Sequence, residues 1–203
     1  MAVGFLKNEA GKLGITMEEV GKQYFEELIS RSLFQRSKES FYFEEGFIMH
    51  DLVHDLAMKV SGEFCLCLEG EKNLRDLSCK TRYLSCNMKI QDGKIFEGLS
   101  KAKRLHSFVG LRESGGDMFK VLEKLAMEGV CLRVLSVFPR DRMKSLPDSI
   151  GDLKHLRYLN LSGFEVEKLP DSVGTLYNLQ MLLLTCREIG NRYLHLKEMP
   201  PHV

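Results

Sequence analysis

Two histidines stand four residues apart in FIMHDLVHDLA, Phe47 to Ala57, and each is followed by an aspartate: His50–Asp51 and His54–Asp55. On a helix, residues four apart share a face, so both imidazoles could reach one metal ion. HDLVH also differs by one residue from the zinc-protease helix H-E-x-x-H, in which the glutamate is the base. Here the base would be Asp51, one methylene shorter, and no third ligand is apparent downstream. A zinc hydrolase using His50 and His54 is therefore the remote reading. A second chemistry needs only one histidine. An imidazole at a helix start lies beside backbone N–H groups that attract anions, and it can donate to a phosphate oxygen. For His54 and Asp55 the plain alternative is a solvated helix face.

No Ser–His–Asp or Cys–His set can be assembled on one face, so an enzyme is not expected. The cysteines are Cys65, Cys67, Cys79, Cys86, Cys131 and Cys186, and none form a C-x-x-C pair. In a reducing compartment they read as small buried apolar residues.

The elements that must position the histidines can be read from spacing. Thr16 and Glu19 fit a capping box before an apolar stripe: Met17, Val20, Tyr24, Phe25, Leu28 and Ile29. This predicts a helix from about Met17 to Ser32. Short aromatic runs at Leu33–Phe34, Phe41–Phe43 and Phe47–Met49 predict a β-ribbon. Leu52, Val53, Leu56, Ala57 and Val60 then mark one face of a helix ending near Ser61–Gly62. Helix, ribbon and helix suggest part of a winged-helix domain. Many such domains bind DNA, but this first helix carries Glu18, Glu19, Glu26 and Glu27 against Lys22 and Arg31. A phosphate-facing helix should be basic, so nucleic acid is not expected as a partner.

The second half repeats. LPDSIGDLKHLRYLNL, Leu146 to Leu161, aligns with LPDSVGTLYNLQMLLL, Leu169 to Leu184, at an offset of 23 residues. That period, with L-x-x-L-x-L inside it, is the leucine-rich-repeat signature. Each unit has a short strand whose leucines no single unit can bury, so stacked units share one core. Parallel strands are predicted near 133–137, 157–161 and 180–184. Leu105 with Phe108, and Tyr83 with Leu84, mark weaker first units. Asp117 can cap a helix carrying Met118, Val121, Leu122 and Leu125 on one face. RYLHL, Arg192 to Leu196, echoes RYLNL, Arg157 to Leu161, but at half the required spacing. The last 15 or so residues are therefore expected to pack poorly. Between the strand leucines, Arg133, Val134, Ser136, Arg157, Tyr158, Asn160, Gln180, Met181 and Leu183 alternate toward the open face, where Arg and Tyr make good protein-binding anchors. The bland alternative is a solvated face.

Composition narrows the partners. Lys and Arg total 29 against 28 for Asp and Glu, so no global field selects nucleic acid or an anionic membrane. No apolar run approaches the roughly 18 residues of a membrane span, and the N-terminus lacks the pattern of a secretory signal. The chain reads as cytoplasmic.

These segments together resemble the plant intracellular immune receptors of the nucleotide-binding leucine-rich-repeat (NB-ARC/LRR) family, closest to the coiled-coil branch. FIMHDLVHDLA resembles the family's M-H-D segment. MAVGFL resembles its W-M-A-E-G-F, and YFEELISRSLFQ its Y-F-x-x-L-x-x-R-S-F-F-Q. TRYLSC is similar to its linker into the repeats, and LPDSIGDLKHLRYLNLSG to its standard repeat. The resemblance implies that Met49, His50 and Asp51 contact bound ADP in the resting state, with His50 near the phosphates and Asp51 fixing the segment. The family binds ADP/ATP mainly through G-x-x-x-x-G-K-[ST], a run this sequence does not contain. The chain is thus expected to be a fragment that binds no nucleotide strongly by itself and hydrolyses none.

The fold class expected is mixed α and β: a winged-helix-type helical subdomain followed by an α/β leucine-rich-repeat solenoid. Residues 1–65 would be the C-terminal part of the winged-helix subdomain of the switch module. Residues 66–104 would be a linker and degenerate first repeat, and 105–203 the repeats, the last unit truncated. The resemblance implies a defence receptor that recognises a pathogen effector or guarded host protein, with intramolecular contact to a nucleotide-binding domain. The rival reading is a free-standing repeat adaptor that senses no nucleotide.

Overall fold

The computed structural model describes residues 17–37, 46–69, 71–87, 94–111, 118–128, 131–137, 145–162, 168–185 and 193–196. Two compact units divide between Gly62 and Glu63.

In the first unit, helix α1 spans Met17–Ser30, close to the predicted bounds. Thr16, its expected cap, lies outside the described residues. The helix ends as Ser32 enters the left-handed region at φ 59°, with its N–H donating to Ile29 O at 2.8 Å. Strands β1 (Phe34–Ser37) and β2 (Gly46–Met49) pair antiparallel, Phe34 opposite Met49, as the ribbon reading predicts. The predicted run Phe41–Phe43 lies outside the described residues. Phe25 of α1 packs on the ribbon: its ring lies 5.6 Å from Phe34 and 4.7 Å, edge to face, from Phe47. Such aromatic geometry favours a defined helix–ribbon orientation. Helix α2 follows at Asp51–Ser61 and closes on Gly62, whose N–H donates to Met58 O.

The second unit is built on one sheet in sequence order, β3 to β9. Strands β3 (Cys65–Leu68), β4 (Tyr83–Cys86), β5 (Ser107–Gly110), β6 (Val134–Val137), β7 (Tyr158–Leu161) and β8 (Met181–Thr185) are all parallel. The three strands predicted from the 23-residue offset are therefore present and parallel. In register, Leu84, Phe108, Leu135, Leu159 and Leu182 form one buried row. Leu105, Leu132, Leu156 and Leu179, each three residues earlier, form a second. Thr81 holds that place in the β4 layer, buried, its Oγ1 accepting from Ser78 N–H at 3.2 Å.

Behind the sheet the chain returns through short helical pieces. Helix α3 (Lys94–Lys101) packs on the 3-10 turn Glu71–Asp76, and α4 (Met118–Met127) packs on the turn Asp148–Asp152. Met118, Val121, Leu122 and Leu125 are buried, the face expected of α4; Asp117 lies outside the described residues. The turns Asp148–Asp152 and Asp171–Thr175 each follow a proline with extended ψ, which fixes φ and donates no hydrogen bond. They stack tightly. Asn178 Nδ2 donates to Lys154 O at 2.7 Å, tying successive layers.

The final strand departs from the pattern. β9 (Tyr193–Leu196) pairs antiparallel with β8, Leu182 opposite Leu196. A parallel return needs a crossover of about a dozen residues or more, and only residues 186–192 separate β8 from β9. Tyr193–Leu196 thus echoes the repeat strand Tyr158–Leu161 in sequence but runs in the opposite direction. The other residues of the expected poorly packed end, 189–192 and 197–203, lie outside the described residues.

Candidate functional site

His50 occupies the junction between β2 and α2. Its backbone is extended, φ −63° and ψ 141°, which makes it the N-cap of the helix. The His50 carbonyl accepts from the N–H groups of Val53 and His54, both at 2.9 Å. Its side chain bends back, and Nδ1 accepts from Leu52 N–H at 3.3 Å. Histidine here does the work usually given to Ser, Thr, Asn or Asp. The chemical consequence is a tautomer choice. Nδ1 can accept only if it carries no proton, so the neutral ring holds its proton on Nε2. The exposed imidazole therefore presents an N–H donor at its far edge, next to a helix N-terminus. Asp51 lies in the first turn, where a carboxylate suits the helix dipole. Met49 ends β2, opposite Phe34. The structure thus brings Met49, His50 and Asp51 to one strand–helix junction.

His54 sits one turn further along, exposed. Its Nδ1 lies 3.7 Å from the neighbouring Asp55 carboxylate. Among the described residues no group of three or more His, Cys, Asp or Glu is placed to hold a metal ion. His50 already spends one nitrogen on its own helix, which leaves the pair poorly arranged to share a metal.

The apolar stripe of α2 has an unexpected setting. Leu52, Leu56 and Val60 are 74, 61 and 77% exposed, and α2 has no buried residue. In helix α1, Tyr24 and Leu28 are likewise exposed, while Phe25 packs one side on the ribbon and is 36% exposed. The periodicity that marks this face is real, but here the face is uncovered.

On the sheet, Arg133 and Arg157 immediately precede β6 and β7, half-buried, with Tyr158 beside them. Burial pushes the Tyr158 phenol above its ordinary pKa, while a hydrogen bond with Asn160 opposes it. Gln180 and Met181 are exposed at the corresponding places of the next layer. Asn160 is a correction. It is 5% exposed, and its Oδ1 accepts from Ser162 N–H at 2.9 Å and from the Ser162 hydroxyl at 2.6 Å. Its job is to turn the chain after β7, so it offers a partner little surface. Ser136, its register mate on β6, is buried too.

Sequence reasoning missed two residues of this face. Arg82 and His106 precede β4 and β5 as Arg133 precedes β6, and backbone hydrogen bonds of 2.8 Å align them: His106 N–H to Arg82 O, then Arg133 N–H to His106 O. The signal was available, since each sits two residues before a buried Leu84 or Phe108, as Arg133 sits before Leu135. Among the described residues no helix is long and apolar enough to cross a membrane.

Comparison with known proteins gives these features a context. A family model described as the disease resistance protein winged-helix domain matches residues 1–57. The chain is 36% identical over 174 residues to RPP13-like protein 1, a disease resistance protein of Arabidopsis thaliana, covering 83% of this chain and 16% of that protein. It is 33% identical over 166 residues to the disease resistance protein RGA1 of Solanum bulbocastanum, covering 80% and 13%. With RPP13 of Arabidopsis thaliana it shares 32% over 171 residues, covering 80% and 18%. The chain thus spans less than a fifth of the length of these relatives. Related over most of its length to these proteins, and matched by their winged-helix domain at the junction that holds His50, the chain is a relative of the plant disease resistance proteins.

Proposed function

We propose that this chain serves plant defence as part of a nucleotide-controlled switch restrained by leucine-rich repeats. The observation that carries the reading is the His50 cap. Its Nδ1 is committed to Leu52 N–H, so its proton sits on Nε2, where it can donate to a phosphate at a helix N-terminus. In this reading His50 lies beside the β-phosphate of ADP, and Asp51 and Met49 hold the junction in place. ADP or ATP would be gripped mainly by a phosphate-binding loop outside this sequence, and the chain itself is proposed to catalyse nothing. The sequential parallel strands, with their 23-residue leucine register, support a leucine-rich-repeat solenoid whose open face binds protein partners. The place of action proposed is the cytoplasm.

The switch depends on differential contact. A ligand biases an equilibrium only by binding one state better than the other. One hydrogen bond to a charged group is worth roughly 1.5–3 kcal/mol, about a ten- to hundredfold bias toward the resting state. The test replaces the matching segment of RPP13-like protein 1 with this chain and expresses the chimera transiently in leaves. Asp51→Val is expected to produce cell death without pathogen. His54→Ala and Asp55→Ala, one turn away, are expected to stay at baseline. A silent Asp51→Val together with an active His54→Ala would sink the assignment.

A further inference from the structure

The open face of the sheet carries basic residues at the head of four adjacent strands, three arginines and one histidine: Arg82, His106, Arg133 and Arg157. Backbone hydrogen bonds between consecutive layers align Phe64, Arg82, His106, Arg133, Arg157 and Gln180. Adjacent parallel strands lie about 4.8 Å apart, so the four basic residues span roughly 15 Å. The next row in register is Cys65, Tyr83, Ser107, Val134, Tyr158 and Met181, and the one after it is Cys67, Ser85, Val109, Ser136, Asn160 and Leu183, of which Ser136 and Asn160 are buried. None of the residues in these three rows is acidic. The nearest acid in sequence, Glu63, is turned to Lys80 at 3.1 Å.

The row is felt by its own members. The His106 imidazole is held below its ordinary pKa, first by burial and then by Arg133 and Arg82. It also meets the Tyr83 ring edge to face, centroids 6.4 Å apart. Arg82 is braced by its Nη1, which donates to the Cys79 carbonyl at 2.8 Å. Arginines beside half-buried tyrosines, here Arg82 by Tyr83 and Arg157 by Tyr158, are the residue types that anchor protein interfaces.

We propose that this row is the docking strip for an acidic, extended peptide segment of a partner protein, laid across the strands from β4 to β7. The proposal rests on reading the open face as partner-binding and names that partner's chemistry. An extended peptide puts alternate side chains on one side, roughly 6.6 Å apart, so two or three carboxylates fit along the three guanidinium groups, with the neutral His106 imidazole as a hydrogen-bonding neighbour between Arg82 and Arg133. Arginine forks match carboxylates in bidentate fashion. A nucleic acid is the lesser fit, because a protein built for a phosphate backbone carries a broad basic field, and this one has a net charge of +1.

The experiment uses the full 203-residue chain and a fluorescent peptide of alternating Glu and Thr, read by anisotropy. Controls are an alternating Lys–Thr peptide and a single-stranded DNA of equal charge. Binding of the acidic peptide is expected, weakening about tenfold from low to high salt. Arg82→Gln with Arg157→Gln is expected to cost at least another tenfold, while Lys168→Gln, off the row, leaves affinity unchanged. Circular dichroism establishes that each variant is folded, and should the double variant unfold, each single variant is read alone against the same expectation. Equal affinity of wild type and the Arg variants would overturn the proposal. So would tighter binding of DNA than of the acidic peptide, which would make the strip a nucleic-acid site. Failure here leaves the cell-death result for Asp51→Val standing, and failure of that result leaves the peptide titration standing, so the two readings fall separately.

Discussion

At the residue scale, two glycines in matching places have opposite roles. Gly151 and Gly174 both close a P-D-S-x-G turn. A Cβ on Gly151 would meet the Ser172 carbonyl at 2.6 Å and Ser172 Cβ at 2.7 Å in the next layer. A Cβ on Gly174 would meet nothing within 4 Å. The obstacle at Gly151 is backbone, which cannot swing away as a flexible side chain could. Gly151→Ala is therefore expected to force the layers apart and cost about 1–3 kcal/mol, the usual range for overpacking. Gly174→Ala should be neutral or slightly stabilising, since it reduces the freedom of the unfolded chain. Urea denaturation of the two variants decides it, and coincident midpoints would show that the turns do not stack as described. The same scale explains what could be foreseen for His50. Its position before D-L-V-H at a helix start was legible, because cap and period are local signals. Its own side chain serving as the cap was not, because histidine is a rare choice there and the contact is visible only in coordinates.

At the element scale, legibility followed regularity. Strands β6 to β8 were readable because their leucines recur nearly in step. The registered residues Cys65, Tyr83, Ser107, Val134, Tyr158 and Met181 are separated by 18, 24, 27, 24 and 23 positions. The early layers break the period, so β3 (CLCL) and α3 were not foreseen, although β3 joins the same sheet. A strand contributes to a sheet through register with its neighbour, which a drifting spacing hides. α2 shows the converse: its apolar period identified the helix, yet period cannot say whether the stripe is covered. The two cases give a paired expectation. Leu159 on β7 is fully buried, whereas Leu52 on α2 is 74% exposed. Leu159→Ala should cost about 2–5 kcal/mol through lost transfer energy and a cavity. Leu52→Ala should stay within about 0.5 kcal/mol. Leu159→Asp should prevent the sheet from forming, because it buries an unpaired charge. If chemical denaturation gives Leu159→Ala and Leu52→Ala the same midpoint, the assignment of inner and outer faces is wrong.

At the scale of the whole sheet, each strand is paired only with its neighbours in sequence order, so protection depends on how many layers lie on either side. The registered core residues carry the gradient: Phe108, Leu135 and Leu159 are fully buried, while Leu182 on β8 is 8% exposed. Next to β8, the sheet direction reverses at β9. A stack with nearest-neighbour contacts opens from its ends, since an end layer loses one interface and an inner layer must break two. Amide hydrogens of β6, such as those of Leu135 and Ser136, must therefore wait for nearly global opening. Those of β8 can exchange once the last layer detaches. Native-state hydrogen exchange should rank β6 slowest and β8 faster, and Gly151→Ala, by loosening the joint between the last two turns, should speed β8 while leaving β6 less affected. Uniform exchange across β5 to β8 would mean that the sheet opens as one block, and that the layers, however regular in sequence, are not separate cooperative units.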